Sequence, residues 1–285
     1  MSHSVAYAIA AMVCYGLGDY IYKQAAVAGI QADHFLMAQG WFFCPLVILY
    51  ALASGTLIPD PAAVWGSVAG IFAFTGFYYF VRSLAVSSVS TNAPIFRMNF
   101  IVTALLVIVL LGEPMTPAKV IGLAFAMAAT WLLVGAKHAD DRIPSYRRRR
   151  ALAEVAVATI AFGASNFFHT VGLRHGAVPE TLVVAQAAAF MPLATFVVYL
   201  ADRKFLPPPM TFKYGAAAAI VLLAAIILLL HGVAQGQASV LVPIAQMGFI
   251  IAAMLGIFIL HERITVRKTI GLISALAALA ALMGS

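Results

Sequence analysis

The chain has 285 residues, of which 64% are hydrophobic and only 9% are charged. A soluble domain carries about 25% charged residues, so this composition excludes a soluble globular protein and predicts that most of the surface faces lipid. The formal charge of +7 would suit nucleic-acid binding, but most charges lie in short gaps between apolar runs, where they set membrane topology. No nucleic-acid partner is expected.

In chain order, ten apolar runs follow one another, and each is about as long as a helix needs to be to cross a bilayer. Lipid cannot satisfy the backbone of an open strand edge, so we predict an all-α membrane protein. The first run is not a signal peptide, because it carries Asp19 and Lys23 and no basic segment precedes it. The predicted spans are residues 4–25, 34–54, 64–83, 89–111, 117–136, 151–172, 180–201, 213–231, 238–260 and 266–284.

The second half of the sequence repeats the first. When residues 85–122 are shifted by 149 positions, 16 of 38 residues meet an identical partner, and an offset of 147 aligns earlier residues such as Gln39 with Gln186. Five spans in each copy is an odd number, so the second copy enters the membrane from the opposite side and the repeats are predicted to be inverted. The single transmembrane domain, 1–285, divides into repeat 1 (1–137), a linker (138–150) and repeat 2 (151–285).

Basic residues concentrate in one set of loops. The gaps after the odd-numbered spans, with the helix ends beside them, hold 14 Lys and Arg residues, whereas the opposite side holds only Lys119 and Arg174. The positive-inside rule then places the linker in the cytoplasm and both termini outside.

Two pairs of motifs carry a family resemblance. Each repeat opens with an aromatic–glycine pair, Tyr15-Gly16 and Phe162-Gly163. In the fourth span of each repeat, a proline is followed by a glutamate, a threonine and a glycine at the same spacings. These residues are Pro94, Glu113, Thr116 and Gly122 in repeat 1, and Pro243, Glu262, Thr265 and Gly271 in repeat 2. Over essentially the whole chain, this pattern resembles the drug/metabolite transporter superfamily and, within it, the ten-helix EamA-type transporters.

The resemblance implies two five-helix halves around a central cavity, alternating access, and no requirement for ATP, a metal or another cofactor. It does not fix the substrate, since the superfamily includes exporters of amino acids, drugs, nucleobases and other metabolites. Carriers of this type often place both termini inside, which conflicts with the distribution of basic residues. We follow the charges.

Charged side chains at membrane depth are costly, roughly 2.5–3.5 kcal/mol for Arg or Asp, and are therefore candidates for function. Arg97 could hold a carboxylate through two hydrogen bonds, bond carbonyls freed by Pro94, or pair with Asp19. Asp19 shares a helix face with Tyr15 and Lys23. It could bind a cationic amine, carry a proton for coupled transport, or form a local ion pair with Lys23.

Uncharged groups complete the candidate site. Gln39 and Gln186 occupy equivalent positions and either contact polar substrate groups or join helices. Tyr78 and Tyr79 would suit an aromatic substrate or pack in the core. His169 is a second proton-carrying candidate, or a histidine satisfied at a helix interface. The candidate binding set is Tyr15, Asp19, Gln39, Tyr78, Tyr79, Arg97, Asn166, Gln186 and Gln246.

Asn166 and Gln246 belong to this set because they stand where repeat 1 has Asp19 and Arg97. We expect the two halves to differ in function at these asymmetric positions.

Two other features are predicted to be structural. Glu113 and Glu262 end equivalent spans, and we expect them to bond across a contact between the repeats. Gly66 and Gly70 form a pair of small residues four positions apart, which would let the third span pack closely on a neighbour or would simply face lipid.

The sequence thus predicts a secondary transporter that exports a small metabolite, such as an amino acid or related carboxylate, by alternating access. A carrier of cationic drugs or amines, a lipid-handling protein and a non-transporting membrane subunit are the alternatives. An enzyme is not expected, because the sequence has no nucleophile–base set, Gly-rich phosphate loop or metal cluster. The expected partners are a small-molecule substrate and the lipid bilayer, in a bacterial inner membrane. The sequence leaves a homodimer open.

Overall fold

The computed structural model describes residues 3–84, 95–134, 145–202, 208–248, 250–251, 254 and 266–284. Within them the regular structure is helical, with a single 3-10 turn at Pro61–Ala63 and no strand. The helices are α1 (His3–Val27), α2 (Ala32–Ala53), α3 (Val64–Leu84), α4 (Asn99–Leu111), α5 (Pro117–Val134), α6 (Ser145–Arg174), α7 (Pro179–Asp202), α8 (Pro209–Gln235), α9 (Ala238–Gln246) and α10 (Val266–Met283).

The all-α class is confirmed, while the number of spans remains a prediction. Among the described residues, six helical segments are long and apolar enough to cross a membrane, and Ile95–Leu111, Pro117–Leu132 and Thr269–Met283 are apolar but shorter. α9 has nine residues. Parts of three predicted spans, at 89–94, 135–136 and 255–260, lie outside the described residues, as does the linker segment 138–144.

Two helices extend beyond their predicted spans. α6 begins at Ser145 instead of residue 151, and α8 covers Pro209–Gln235 instead of 213–231. The predicted spans followed apolarity alone, but polar residues with good helix propensity, such as the arginines at 147–150, continue a helix outside the apolar run.

The fourth and ninth predicted spans are interrupted helices. Both breaks carry a backbone hydrogen bond between residues three apart, from Met98 N to Ile95 O (3.1 Å) and from Met247 N to Ile244 O (3.1 Å). Each break follows the proline of the repeated motif by four residues, and α9 is helical through Pro243 itself. Pro94 itself lies outside the described residues.

The two halves are interleaved, and most helix contacts join one repeat to the other. α3 packs on α6 as α8 packs on α1, and α3 packs on α7 as α8 packs on α2. Since α1, α2 and α3 are the repeat equivalents of α6, α7 and α8, each of these contacts has a counterpart with the halves exchanged. This reciprocity is the pattern of a two-fold axis.

Equivalent helices run in opposite directions. The Thr181 hydroxyl in the first turn of α7 donates to the carbonyls of Thr56 (3.1 Å) and Ile58 (3.3 Å), just beyond the end of α2. Arg267 at the start of α10 donates to the carbonyl of Trp131 near the end of α5 (2.8 Å). The helices in each of these two pairs are therefore antiparallel.

Small residues permit the closest of these contacts. A Cβ atom added to Gly66 or Gly70 would collide with the α7 backbone, at Leu182 and Gln186 respectively. Of the two alternatives for this glycine pair, close packing on a neighbouring helix is therefore correct.

Glu113, just after α4, joins the two halves. Its carboxylate accepts hydrogen bonds from the backbone N–H groups of Ala238 (3.0 Å) and Ser239 (2.9 Å) in the first turn of α9. Arg174 at the end of α6 donates to the same carboxylate (3.0 Å). A carboxylate here satisfies donors that the first turn of a helix leaves free. The predicted bond between repeats is present at Glu113, and Glu262 lies outside the described residues.

Candidate functional site

A cavity of about 60 Å³ lies where the two halves meet. Its walls come from α1, α2 and α3 of repeat 1 and from α6, α7 and α8 of repeat 2, so each repeat contributes the same three helices. Pockets for drug-sized ligands measure roughly 300–1,000 Å³. This cavity therefore suits one small solute or a few water molecules.

Most of the lining residues form repeat-related pairs. At the offsets of the sequence repeat, the pairs are Tyr15 with Phe162, Gln39 with Gln186, Gly40 with Ala187, Phe43 with Phe190, and Phe77 with Ile226. The cavity therefore lies on the pseudo-two-fold axis. The remaining lining residues all belong to repeat 2: Ser165, Asn166, His169 and Leu222. The two repeats therefore contribute equivalent helices and mostly equivalent residues to the cavity, but repeat 2 contributes more of its polar side chains.

In repeat 1 the glutamine has a protein partner. The Tyr22 hydroxyl donates to Gln39 Oε1 at 2.5 Å, and the Tyr22 ring packs edge-on against Phe35. The position of Tyr22 is occupied in repeat 2 by His169, which lies beside Gln186 and the backbone of Ser165.

In repeat 2 the polar atoms at the cavity lack partners. Asn166 Nδ2, both ring nitrogens of His169 and Gln186 Oε1 are buried and form no hydrogen bond of ordinary geometry with the described residues, although His169 lies close to Gln186 and to the backbone of Ser165. His169 is only 1% exposed and Asn166 is 7% exposed. A buried polar atom without a partner costs about 1–3 kcal/mol, so this wall of the cavity favours a hydrogen-bonding ligand.

Arg97 and Asp19 form an ion pair with each other. Their side chains are 15% and 27% exposed, and the described cavity lining includes neither. Of the three roles considered for Arg97, the structure shows the ion pair with Asp19. The side chain of Lys23, the other partner considered for Asp19, lies outside the described residues.

Three further candidates lie away from the cavity. The guanidinium of Arg82 lies over the rings of Tyr78 and Tyr79, at 5.4 and 6.0 Å from the ring centroids. Gln246 is 2% exposed at the end of α9, and its Nε2 has no hydrogen-bond partner in the described part of the chain. The candidates that the cavity does bring together are Tyr15, Gln39, Asn166, His169 and Gln186.

The apolar walls are residues that the sequence did not single out. Phe77 packs edge-on against Phe162 and Phe190, with ring centroids 4.9 and 6.3 Å apart, and Phe43 completes the aromatic lining. Phenylalanine is common throughout this chain, so its presence in a span carries little information. The sequence repeat could have identified two of these residues as cavity-lining, since Phe43 and Phe190 occupy equivalent positions in the two repeats.

Comparison with known proteins supports the same architecture. The sequence model of the EamA-like transporter family matches residues 3–135 and 150–284. The chain belongs to the EamA-like transporter family. This confirms the resemblance to drug/metabolite transporters, and the gap between the two matched regions, residues 136–149, overlaps the predicted linker, 138–150. The protein is therefore a multi-pass integral membrane protein of a transporter family.

A solved structure entitled "Crystal structure of protein" has a similar fold, with a TM-score of 0.81 and 15% sequence identity. The similarity covers 99% of this chain and 98% of that chain. At this identity the likeness shows the fold alone. No curated protein matches the chain.

Proposed function

We propose that this EamA-family protein is a secondary transporter that moves a small polar metabolite through the central cavity by alternating access. The observation that carries the proposal is the position of the cavity on the pseudo-two-fold axis, with walls from three equivalent helices of each half. A site on such an axis faces one side of the membrane or the other when one half rocks against its partner.

The proposal includes an inverted arrangement of the repeats, with the pseudo-two-fold axis in the membrane plane. The opposite directions of α2 and α7, and of α5 and α10, support it. The excess of basic residues on one side favours a cytoplasmic linker and external termini. Outward transport and a bacterial inner membrane remain expectations from the sequence.

The cavity chemistry favours a substrate without net charge. The described lining has no Asp, Glu, Lys or Arg side chain, and burying an unpaired charge is far more costly than burying a hydrogen-bonded neutral group. Asn166 offers an N–H donor and Gln186 offers a carbonyl acceptor, while a neutral His169 offers one of each. We therefore propose an uncharged metabolite with neighbouring donor and acceptor groups and a face that packs on phenylalanine.

An amino acid or other carboxylate becomes the second candidate. That hypothesis relied on Arg97 as the group that binds the carboxylate, and the guanidinium of Arg97 is paired with Asp19. A carboxylate substrate would have to displace Asp19, and a cationic drug or amine would have to displace Arg97.

The test is flux into proteoliposomes that hold the purified protein, with uncharged solutes, zwitterionic amino acids, carboxylates and amines compared. The repeat supplies a matched pair of variants. Gln186→Leu removes an unpaired cavity acceptor and should raise KM about tenfold, the value of roughly one hydrogen bond. Gln39→Leu should have a smaller effect on KM, because Gln39 Oε1 is already bonded to Tyr22.

Selective transport of carboxylates or amines would contradict the proposed substrate class, as would equal effects of the two glutamine variants on KM. Movement of labelled lipid, without solute flux, would favour the lipid-handling alternative. Absence of flux for every solute and lipid would favour a non-transporting subunit.

A further inference from the structure

Two pairs of residues occupy equivalent positions at the two ends of the molecule. At the repeat offsets of 147 and 149, Asp33 corresponds to Glu180 and Arg82 to His231. Asp33 and Glu180 lie in the first turns of α2 and α7, and Arg82 and His231 lie near the ends of α3 and α8. Because α7 begins where α2 ends, the two pairs are at opposite ends of the helices.

The pair in repeat 2 is closed. His231 Nε2 lies 2.9 Å from Glu180 Oε1, and the Glu180 side chain is only 4% exposed. The Tyr7 ring of α1 stacks on His231, with centroids 6.0 Å apart. The neighbouring Thr181 is also bonded to the loop after α2. The start of α7 is therefore fastened both to α8 and to repeat 1.

The pair in repeat 1 is open. Asp33 and Arg82 line a common cavity of about 410 Å³ together with residues of α7, and no ion pair joins them within the described part of the chain. Arg82 instead contacts Glu154 of α6 (3.3 Å). Glu154 is the repeat equivalent of Tyr7. The Arg82–Glu154 contact therefore corresponds to the His231–Tyr7 contact of the other pair. The contact that would correspond to His231–Glu180, between Arg82 and Asp33, is not formed.

The open pair lies at the linker end and above the central cavity. Glu154 also binds Arg150, at the start of α6 (3.1 Å), which places this end beside the linker. On α2, Leu36 lines the larger cavity and Gly40 and Phe43 line the central cavity. These three residues share one helix face at spacings of four and three, so the stripe of α2 that begins in the larger cavity continues into the central one.

We propose that Asp33–Arg82 and Glu180–His231 are alternating latches, of which one closes when the other opens. The structure holds the conformation that is open at the linker end and closed at the opposite end. In the alternate conformation the halves exchange roles, so that Asp33 and Arg82 meet and Glu180 and His231 separate. The inference rests on the proposed alternating access, and it names the residues that close each end. Each latch has one partly exposed member, Arg82 (37%) or His231 (35%), and contacts of partly exposed side chains are weak, which suits contacts that must open in every transport cycle.

Thiol cross-linking tests the latches on the full chain. Cys14→Ala and Cys44→Ala remove both native cysteines, and Ala187→Cys places one reporter thiol in the cavity. Cross-linking of Glu180→Cys/His231→Cys should stop transport and leave the reporter open to an impermeant maleimide from the linker side only. Cross-linking of Asp33→Cys/Arg82→Cys should also stop transport but leave the reporter open from the opposite side only. Cleavage of each cross-link should restore flux.

Uncross-linked variants give a second readout. Asp33→Asn should shift labelling of the reporter towards the linker side, and Glu180→Gln towards the opposite side, each by up to about fivefold. Shifts in the same direction would overturn the proposal. Failure of Asp33→Cys/Arg82→Cys to cross-link during turnover, or continued flux after either cross-link, would also overturn it.

The labelling readout separates this inference from the proposed function. If no solute is transported but the two cross-links still expose opposite sides of the cavity, the latches stand and the proposed function falls. If flux is normal and cross-linking has no effect on it, the latches alone are wrong.

Discussion

Replacement of Glu113 by alanine should lower the free energy of unfolding by about 1.5–6 kcal/mol. The carboxylate accepts two backbone hydrogen bonds at the start of α9 and one bond from Arg174. Loss of an N-terminal helix acceptor costs about 0.5–2 kcal/mol, and a second buried N–H left unpaired costs about 1–3 kcal/mol. The Arg174 side chain is 41% exposed, so its share is discounted to about 0–1 kcal/mol.

The measurement is reversible unfolding in mixed micelles by titration with a denaturing detergent. Glu113→Gln keeps one acceptor oxygen and should lose about half as much stability as Glu113→Ala. Arg174→Met removes the ion pair with Glu113 and the hydrogen bond from Arg174 to the Leu111 carbonyl (2.7 Å). It should change the unfolding free energy by less than about 1 kcal/mol, because the Arg174 side chain is 41% exposed. A loss below about 0.5 kcal/mol for Glu113→Ala would refute the argument. If Arg174→Met loses as much stability as Glu113→Ala, the stabilising effect of Glu113 comes from its contact with Arg174 and not from its hydrogen bonds to the first turn of α9.

Three further outcomes are expected. Gly70→Ala should lower Tm in detergent, since the added methyl collides with the α7 backbone and overpacking costs about 1–3 kcal/mol, whereas Gly284→Ala meets only ordinary contacts and should leave Tm unchanged. Asp19→Asn should destabilise the protein because it leaves Arg97 unpaired. The double variant Asp19→Asn/Arg97→Gln should recover most of the lost Tm. If instead Asp19→Asn is stable but its transport is no longer stimulated by a pH gradient, Asp19 carries the coupled proton. Alkaline phosphatase fused after the last helix should be active outside the cytoplasm, and bright cytoplasmic fluorescence from an equivalent fusion would show the opposite orientation.

The helices were predictable because a bilayer leaves the chain little choice of backbone structure. The predicted span 34–54, for example, matches α2 at Ala32–Ala53 within two residues. The breaks at Met98 and Met247 were not predicted, since an apolar run has the same composition whether its helix is continuous or interrupted. A repeated proline precedes each break, but Pro45 and Pro192 also form a repeated pair and lie inside α2 and α7, which are continuous.

The candidate site was predictable in part. Polar residues in apolar runs identified Tyr15, Gln39 and His169, which line the cavity, but the same criterion selected Tyr78, which lies beside Arg82. Lipid and the protein interior are both apolar, so the periodicity of a membrane helix does not reveal which face is buried. Only the repeat correspondence contains that information, because residues near the pseudo-two-fold axis face their own equivalents.

The same correspondence explains how one fold can hold a symmetric cavity and an asymmetric site. At four positions repeat 1 satisfies its polar groups internally, through the Asp19–Arg97 ion pair and the Tyr22–Gln39 hydrogen bond. At the equivalent positions of repeat 2, the structure leaves atoms of Asn166, His169 and Gln186 without partners, three residues that face the cavity, and leaves Gln246 Nε2 unpaired as well. Duplication supplies two equivalent walls, and divergence at three of these four positions leaves polar atoms unpaired in repeat 2. Under the proposed alternating access, a substrate that bonds to repeat 2 would follow that half as the cavity turns from one side of the membrane to the other.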